Sequence, residues 1–288
     1  MMTTYFFRQK TLLLLGMFFL LFATVEVQAA PDQADLKGIR VLVYTRNGKG
    51  FIHDNIPSAV KCVQKLGADH KFSVDVSDDP SIFTEDNLKK YKMLIFTSTN
   101  NDVFNDDQQR LAFRRYIEAG GGFVGIHSVT GTERNWTWFK QMIGGTFVWH
   151  AKNQKFSVKI IDPGHPSMQG LPKVWERSLG DECYFTKELY PGIKVMIAHD
   201  LHSLAKDADT VKVAKFSAPF KDLYPAAWYQ TFDGGNIWIT TLGHNKEYYQ
   251  EPVFVKHILQ GIAYISSQTK KLDFAKAYAT SRDTPVNY

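Results

Sequence analysis

The chain has 288 residues, with 34 lysines and arginines against 29 aspartates and glutamates, a formal net charge of +5. That length suits one large α/β domain able to bury a full core. A surplus so small, with both signs interspersed, argues against a nucleic-acid partner.

The chain opens on a short basic region (Arg8, Lys10), an apolar run over 11–24 (TLLLLGMFFLLFAT) and a small-residue exit, Val27-Gln28-Ala29. This reads as a secretory signal peptide over 1–29 with cleavage near Ala29. The run is shorter than the roughly 20 residues of a membrane span, and no later segment is long and apolar enough to cross. The expectation is a single domain over 30–288, periplasmic or secreted, with no stable membrane span. Losing Arg8, Lys10 and Glu26 leaves a net charge of about +4. In an oxidising compartment Cys62 and Cys183 could pair, but Cys62 falls inside a predicted helix and nothing indicates a bond.

The amino-terminal half alternates strand and helix, which predicts a mostly parallel sheet covered on both faces. Strands are predicted at 39–45, 72–77, 93–98 and 122–126, with a helix over 56–66. A further helix starts at Asn105, takes Gln108 as its capping-box partner and stops at Gly120. The segment 146–149 reads as another buried parallel strand. Beyond it the chain reads as strand-rich, with strands at 155–161, 194–198, 211–216, 226–230 and 236–242. Asp233-Gly234-Gly235 forms a predicted hairpin turn. A helix over 252–266 closes the domain, followed by a polar tail that wraps the surface or frays.

Four histidines fall just past predicted strands: His53, His127, His150 and His244. In open α/β sheets the ligand crevice lies outside the carboxyl ends of the strands, so their shared position predicts a site. His127 follows GGGFVGI as in a nucleophile elbow, yet an imidazole there serves as acid, base or metal ligand rather than as an acyl-transfer nucleophile. Ser128 lacks the Gly-x-Ser-x-Gly frame of a hydrolase. Asp54 has two readings, orienting His53 or capping the following helix. Asp181 and Glu182 point to opposite faces of an extended chain, so one of them reaches the crevice. Glu182 shares its face with Tyr184, which favours Glu182, against the reading of a solvated charge pair. His165, before Pro166, is read as structural or loop-gating rather than catalytic, and His70, His199, His202 and His257 are assigned no role. One or two of the six tryptophans near the crevice could stack on a sugar ring.

Several short motifs in order resemble the trehalose-utilisation (ThuA-like) family. They are Phe51-Ile52-His53-Asp54, Gly121-Gly122-Phe123-Val124-Gly125-Ile126-His127-Ser128, Gly144-Gly145 leading to His150, Asp162-Pro163 with His165-Pro166, Asp181-Glu182-Cys183-Tyr184 and Leu242-Gly243-His244. The resemblance implies a flavodoxin-like α/β sandwich similar to class I glutamine amidotransferases, with His127 where those enzymes carry cysteine. It also implies use of trehalose or a related disaccharide, including 3-keto sugars. The family is often cytoplasmic, which sits in tension with the signal peptide.

Together these readings predict an exported carbohydrate-processing protein with His53, His127, Glu182 and His244 as catalytic groups. Asp54, Ser128 and Tyr184 are the predicted substrate-binding residues. A divalent metal, zinc in the first instance, is the variant reading, with His127 and His150 as ligands. A non-catalytic sugar-binding protein on the same fold is the competing class.

Overall fold

Runs such as RVLVY, MLIFT and GFVGI carry no polar alternation, and strands of this kind require cover on both faces. The computed structural model describes Met1 and residues 36–205, 209–218 and 220–287. The 1–29 leader therefore lies outside the described residues.

In chain order the elements are β1 (Arg40–Tyr44), α1 (Ile56–His70), β2 (Ser73–Ser77), α2 (Glu85–Leu88), β3 (Met93–Thr97), α3 (Asp107–Glu118), β4 (Gly122–Ile126) and α4 (Thr137–Ile143). There follow β5 (Thr146–His150), β6 (Ser157–Ile160), β7 (Val174–Glu176), β8 (Tyr184–Lys187) and β9 (Lys194–Asp200). The last are α5 (Thr210–Ser217), β10 (Leu223–Phe232), β11 (Gly235–Thr240) and α6 (Pro252–Gln268). Among the described residues nine strands form one sheet in the order β2-β1-β3-β4-β11-β10-β9-β6-β7. The first five run parallel, and from β11 onward each neighbour is antiparallel. The parallel block has the flavodoxin-like order, whose strand direction of travel reverses between β1 and β3.

Side-chain alternation divides the core in two. Val41, Val43, Met93, Ile95, Val124 and Ile126 face α1 and α6, meeting Val63, Leu66, Ile258 and Ile262. Leu42, Leu94, Phe96 and Phe123 face α3 and α4, meeting Phe113, Ile117, Phe139 and Met142. The fold is thus an α/β sandwich around a large mixed sheet, parallel in its amino-terminal half and strand-rich overall.

Three local expectations change. The segment 146–149 does not join the parallel sheet: β5 pairs antiparallel with β8 in a separate two-stranded ribbon. Its strand is mostly half-buried rather than covered on both faces. The segment 211–216 is helix α5 rather than a strand, because Asp209 accepts a hydrogen bond from the Lys212 N–H and caps it. Its exposed apolar residues fit both periods over so short a window. The capping box of α3 lies one residue later than predicted, with Asp106 accepting from Gln109 N and Gln109 Oε1 accepting from Asn105 N.

The predicted turn joins β10 to β11, with Asp233 and Gly234 both at positive φ (48° and 91°). The polar tail wraps and is anchored: buried Arg114 donates to the carbonyls of Arg282 and Thr284, and Trp136 Nε1 donates to Arg282 O at 3.0 Å. Cys62 and Cys183 are free, buried thiols. No helix among the described residues is long and apolar enough to cross a membrane.

Candidate active site

The parallel strands end on one edge, and their trailing loops carry the imidazoles there. β4 ends at Ile126, and His127 turns the chain at φ 56°, a left-handed conformation that costs a non-glycine residue on the order of 1 kcal/mol or more. The turn lifts a fully buried His127 over the sheet edge. His53 arrives in the loop after β1. His244 arrives after β11 through Gly243, whose φ of 105° suits glycine alone and where a Cβ would meet Phe254 at 2.5 Å.

Asn55 and Asp181 fix this last loop. Asn55 Nδ2 donates to Gly243 O and His244 O, both at 2.9 Å. The Asp181 carboxylate accepts the backbone N–H groups of Glu182 (2.9 Å), Gly243 (3.1 Å) and His244 (3.0 Å). Asp181 is itself fully buried against Arg177, whose Nη2 donates at 2.8 Å and whose guanidinium lies 3.6 Å from the Tyr248 ring centroid. Of the adjacent carboxylates, Asp181 faces inward to the backbone and Glu182 faces the crevice.

The four side chains His53, His127, His244 and Glu182 converge. One ligand atom from each lies within 4.8 Å of every other. His127 Nε2 is 3.3 Å from His244 Nδ1 and 3.9 Å from Glu182 Oε2, and His244 Nδ1 is 3.0 Å from Glu182 Oε2. The outer nitrogens of His127 and His53 have polar partners. His127 Nδ1 lies 3.1 Å from Thr241 O, a carbonyl that can only accept, so Nδ1 carries the proton and Nε2 a lone pair. His53 Nδ1 lies 3.3 Å from Ser128 Oγ, whose own hydrogen goes to Thr99 O, so the same tautomer follows.

Burial, reinforced by the imidazoles of His53 and His244, holds His127 well below the usual histidine range. Burial and then His244 push His53 down to about 4. For His244 burial again acts downward, but the hydrogen bond and charge of Glu182 outweigh it and its pKa is raised. Tyr184 donates towards His127 Nε2 at 3.2 Å and stays protonated well above its ordinary pKa through burial and the Glu182 charge.

These distances fit a metal. Bonds of about 2.0–2.1 Å to a tetrahedral ion give ligand–ligand edges of roughly 3.4 Å, against 3.0, 3.3 and 3.9 Å between three of the atoms here. Imidazole lone pairs with the opposite N–H on backbone or hydroxyl oxygen are the outer arrangement that metal-binding histidines use.

The predicted residues divide accordingly. Ser128 and Tyr184 touch the cluster. His150 lies outside it, its Nδ1 3.3 Å from Glu182 Oε1 and 3.0 Å from Ala151 O, so His53, His244 and Glu182 replace it beside His127 as the candidate ligand set. Asp54 lies outside the cleft. Its side chain is 78% exposed, it faces Lys246 at 3.8 Å, and the helix cap position is Asn55 instead.

The cleft holds about 350 Å³ and is also lined by Phe51, which the sequence offered only as part of a motif, and by Asn100, Arg134 and Phe147, which it did not single out. Asn100 carried a usable signal, since it follows β3 at the same sheet edge. Arg134 and Phe147 carried none, because the loop and the ribbon that bring them are not regular parts of a parallel sheet.

The family profile described as ThuA, trehalose utilisation, matches residues 40–265. The chain belongs to the ThuA family. Among solved structures, a ThuA-like protein from Bacteroides uniformis is similar, with 20% identity, a TM-score of 0.65, and coverage of 84% of this chain and 96% of its own. A ThuA-like protein from Parabacteroides merdae gives 18% identity, a TM-score of 0.62, and coverage of 82% and 93%. A cytoplasmic protein from Salmonella typhimurium gives 11% identity, a TM-score of 0.54, and coverage of 79% and 98%. At these identities the likenesses speak for the ThuA fold alone. Among curated proteins, none matches this chain by sequence.

Proposed function

We propose that this ThuA-family protein is an exported carbohydrate-processing enzyme acting on a disaccharide or its 3-keto derivative. A divalent transition metal such as zinc would be held by His53, His127, His244 and Glu182. The observation that carries the reading is the convergence of those four ligand atoms within 4.8 Å at the carboxyl edge of the parallel strands. The leader-like residues 1–29 support export, and the family's association with trehalose supports a sugar.

A bound divalent ion supplies Lewis acidity, polarising a sugar carbonyl or hydroxyl oxygen. The chain's own residues do the rest. A keto group acidifies the neighbouring C–H, and His150, which lines the cleft outside the ligand set with its Nδ1 on Ala151 O, would accept that proton on Nε2. Tyr184, held protonated, donates to the departing oxygen. The exposed Phe51 and half-buried Phe147 offer faces on which a sugar ring stacks.

The test is turnover of trehalose and 3-keto-trehalose by the purified protein before and after chelation. The reading expects turnover that chelation abolishes and zinc restores, and a His150→Ala variant that keeps its metal but turns over at least about a hundredfold more slowly. Sugar binding with no turnover in any metal state would leave the binding-protein reading in its place.

A further inference from the structure

Arg134 lines the wall of the cleft, and it is the one wall residue with an unbalanced positive charge among the described residues. Its neighbour Glu133 does not serve it. That carboxylate accepts Val103 N at 2.8 Å and Phe104 N at 3.2 Å and pairs with Arg110 Nε at 2.8 Å. Burial accordingly pulls the Arg134 pKa below its ordinary value, with only the Tyr184 phenol acting the other way.

The guanidinium is nevertheless held in place. Nε donates to Gly131 O at 2.9 Å, Nη2 donates to Asn100 Oδ1 at 3.2 Å, and the Phe147 ring centroid lies 5.4 Å away. Of the five N–H groups of an arginine, three therefore have no partner among the described residues. Gly131 makes the arrangement possible: a Cβ there would meet Asn100 Oδ1 at 2.5 Å and Arg134 Nη2 at 2.9 Å. A partly desolvated cation with unused donors, fixed and open to a cleft, is a receptor for an anionic group.

We infer that Arg134, with Asn100, forms a subsite for an anionic substituent on the sugar, so that the substrate class is an acidic saccharide such as a uronate. This rests on the carbohydrate reading above and narrows it. The guanidinium fork pairs bidentately with a carboxylate or a phosphate, and sugars carrying either anion separate the two sources. Phe147 packs against both Arg134, 5.4 Å from its ring centroid, and the Tyr184 ring, whose centroid is 4.6 Å from its own.

Calorimetric titration of the intact protein with methyl glucoside, methyl glucuronide and glucose 6-phosphate tests this. In parallel, the Arg134 side-chain Nε–H signal in labelled protein is followed by NMR during titration with acetate and with inorganic phosphate. The inference expects the glucuronide to bind at least about tenfold more tightly than the glucoside. Arg134→Gln should remove that advantage without weakening the glucoside, and Arg134→Lys should restore only part of it.

Glucose 6-phosphate binding best, with phosphate rather than acetate shifting the signal, keeps the anion subsite but overturns the uronate. Equal affinity for glucoside and glucuronide overturns the anionic inference and leaves the carbohydrate reading standing. If no sugar binds but acetate shifts a signal that Arg134→Gln lacks, the anion subsite stands and the carbohydrate reading falls. No sugar binding and no shift defeats both.

Discussion

The molecule buries histidines in two regions, and it treats them differently. At the carboxyl edge of the parallel strands, His53 and His127 each have one nitrogen on a fixed polar partner, Ser128 Oγ or Thr241 O. In the carboxyl-terminal core, His257 on α6 has no hydrogen-bond partner for either nitrogen among the described residues, and His199 on β9 has none for Nδ1. Their rings pack instead on Trp238, with centroids 4.7 Å apart, and on Phe156 at 5.4 Å. Burial alone therefore does not mark a working imidazole. His199 Nε2 reaches Thr241 Oγ1 at 3.5 Å and buried His165 Nδ1 contacts Ser167 Oγ at 2.8 Å. What separates the edge is therefore that its rings turn the nitrogen opposite the partner towards the other members of the cluster.

The sharpest way to break this contrast is to remove a group from the edge cluster. His127→Ala and Glu182→Gln should each lower metal affinity by more than about 100-fold, beyond the range for outer partners, while circular dichroism still reports a folded protein. Next in size is Asp181→Ala, which strips the Gly243 and His244 amides of their acceptor and strands buried Arg177. Loss of one partner of a buried pair costs about 3–5 kcal/mol, read as a fall in urea midpoint; a change under 1 kcal/mol would show that Asp181 does not organise the loop. Ser128→Ala removes only the partner of His53 and should weaken metal binding about tenfold with stability unchanged.

The smallest effect belongs to the other region. Burial, with a contribution from Arg177, lowers His257 to about 3, whereas the unfolded chain titrates near 6.5. Between those values the unfolded state binds more protons, so stability is full above pH 6.5 and falls as the pH drops towards 3. His257→Phe should flatten the dependence of unfolding free energy on pH by on the order of 1 kcal/mol per unit. An identical slope in wild type and variant would contradict the assignment of a buried neutral ring.

Much of this was legible along the chain, because it depends on local pattern. The strand ending at Ile126 and the sharp turn at His127 follow from GGGFVGIH. The shared face of Glu182 and Tyr184 follows from alternation along an extended segment. The less legible parts are set by tertiary partners. The ribbon of β5 and β8 reads like any apolar strand, and only its pairing shows that it stands outside the sheet. Asp54, beside His53 in sequence, points to Lys246, while the partner of His53 comes from Ser128, 75 residues away. Arg134 enters the cleft because Gly131 leaves room for it, a relation that spacing alone does not express.

The most direct test of the central claim is elemental analysis of the purified protein beside its His127→Ala, His244→Ala and His150→Ala variants. The account predicts one equivalent of a divalent first-row metal in the wild type, kept in His150→Ala and lost in the other two. Metal retained by both His127→Ala and His244→Ala, or a metal-free wild type with undiminished turnover, would contradict it.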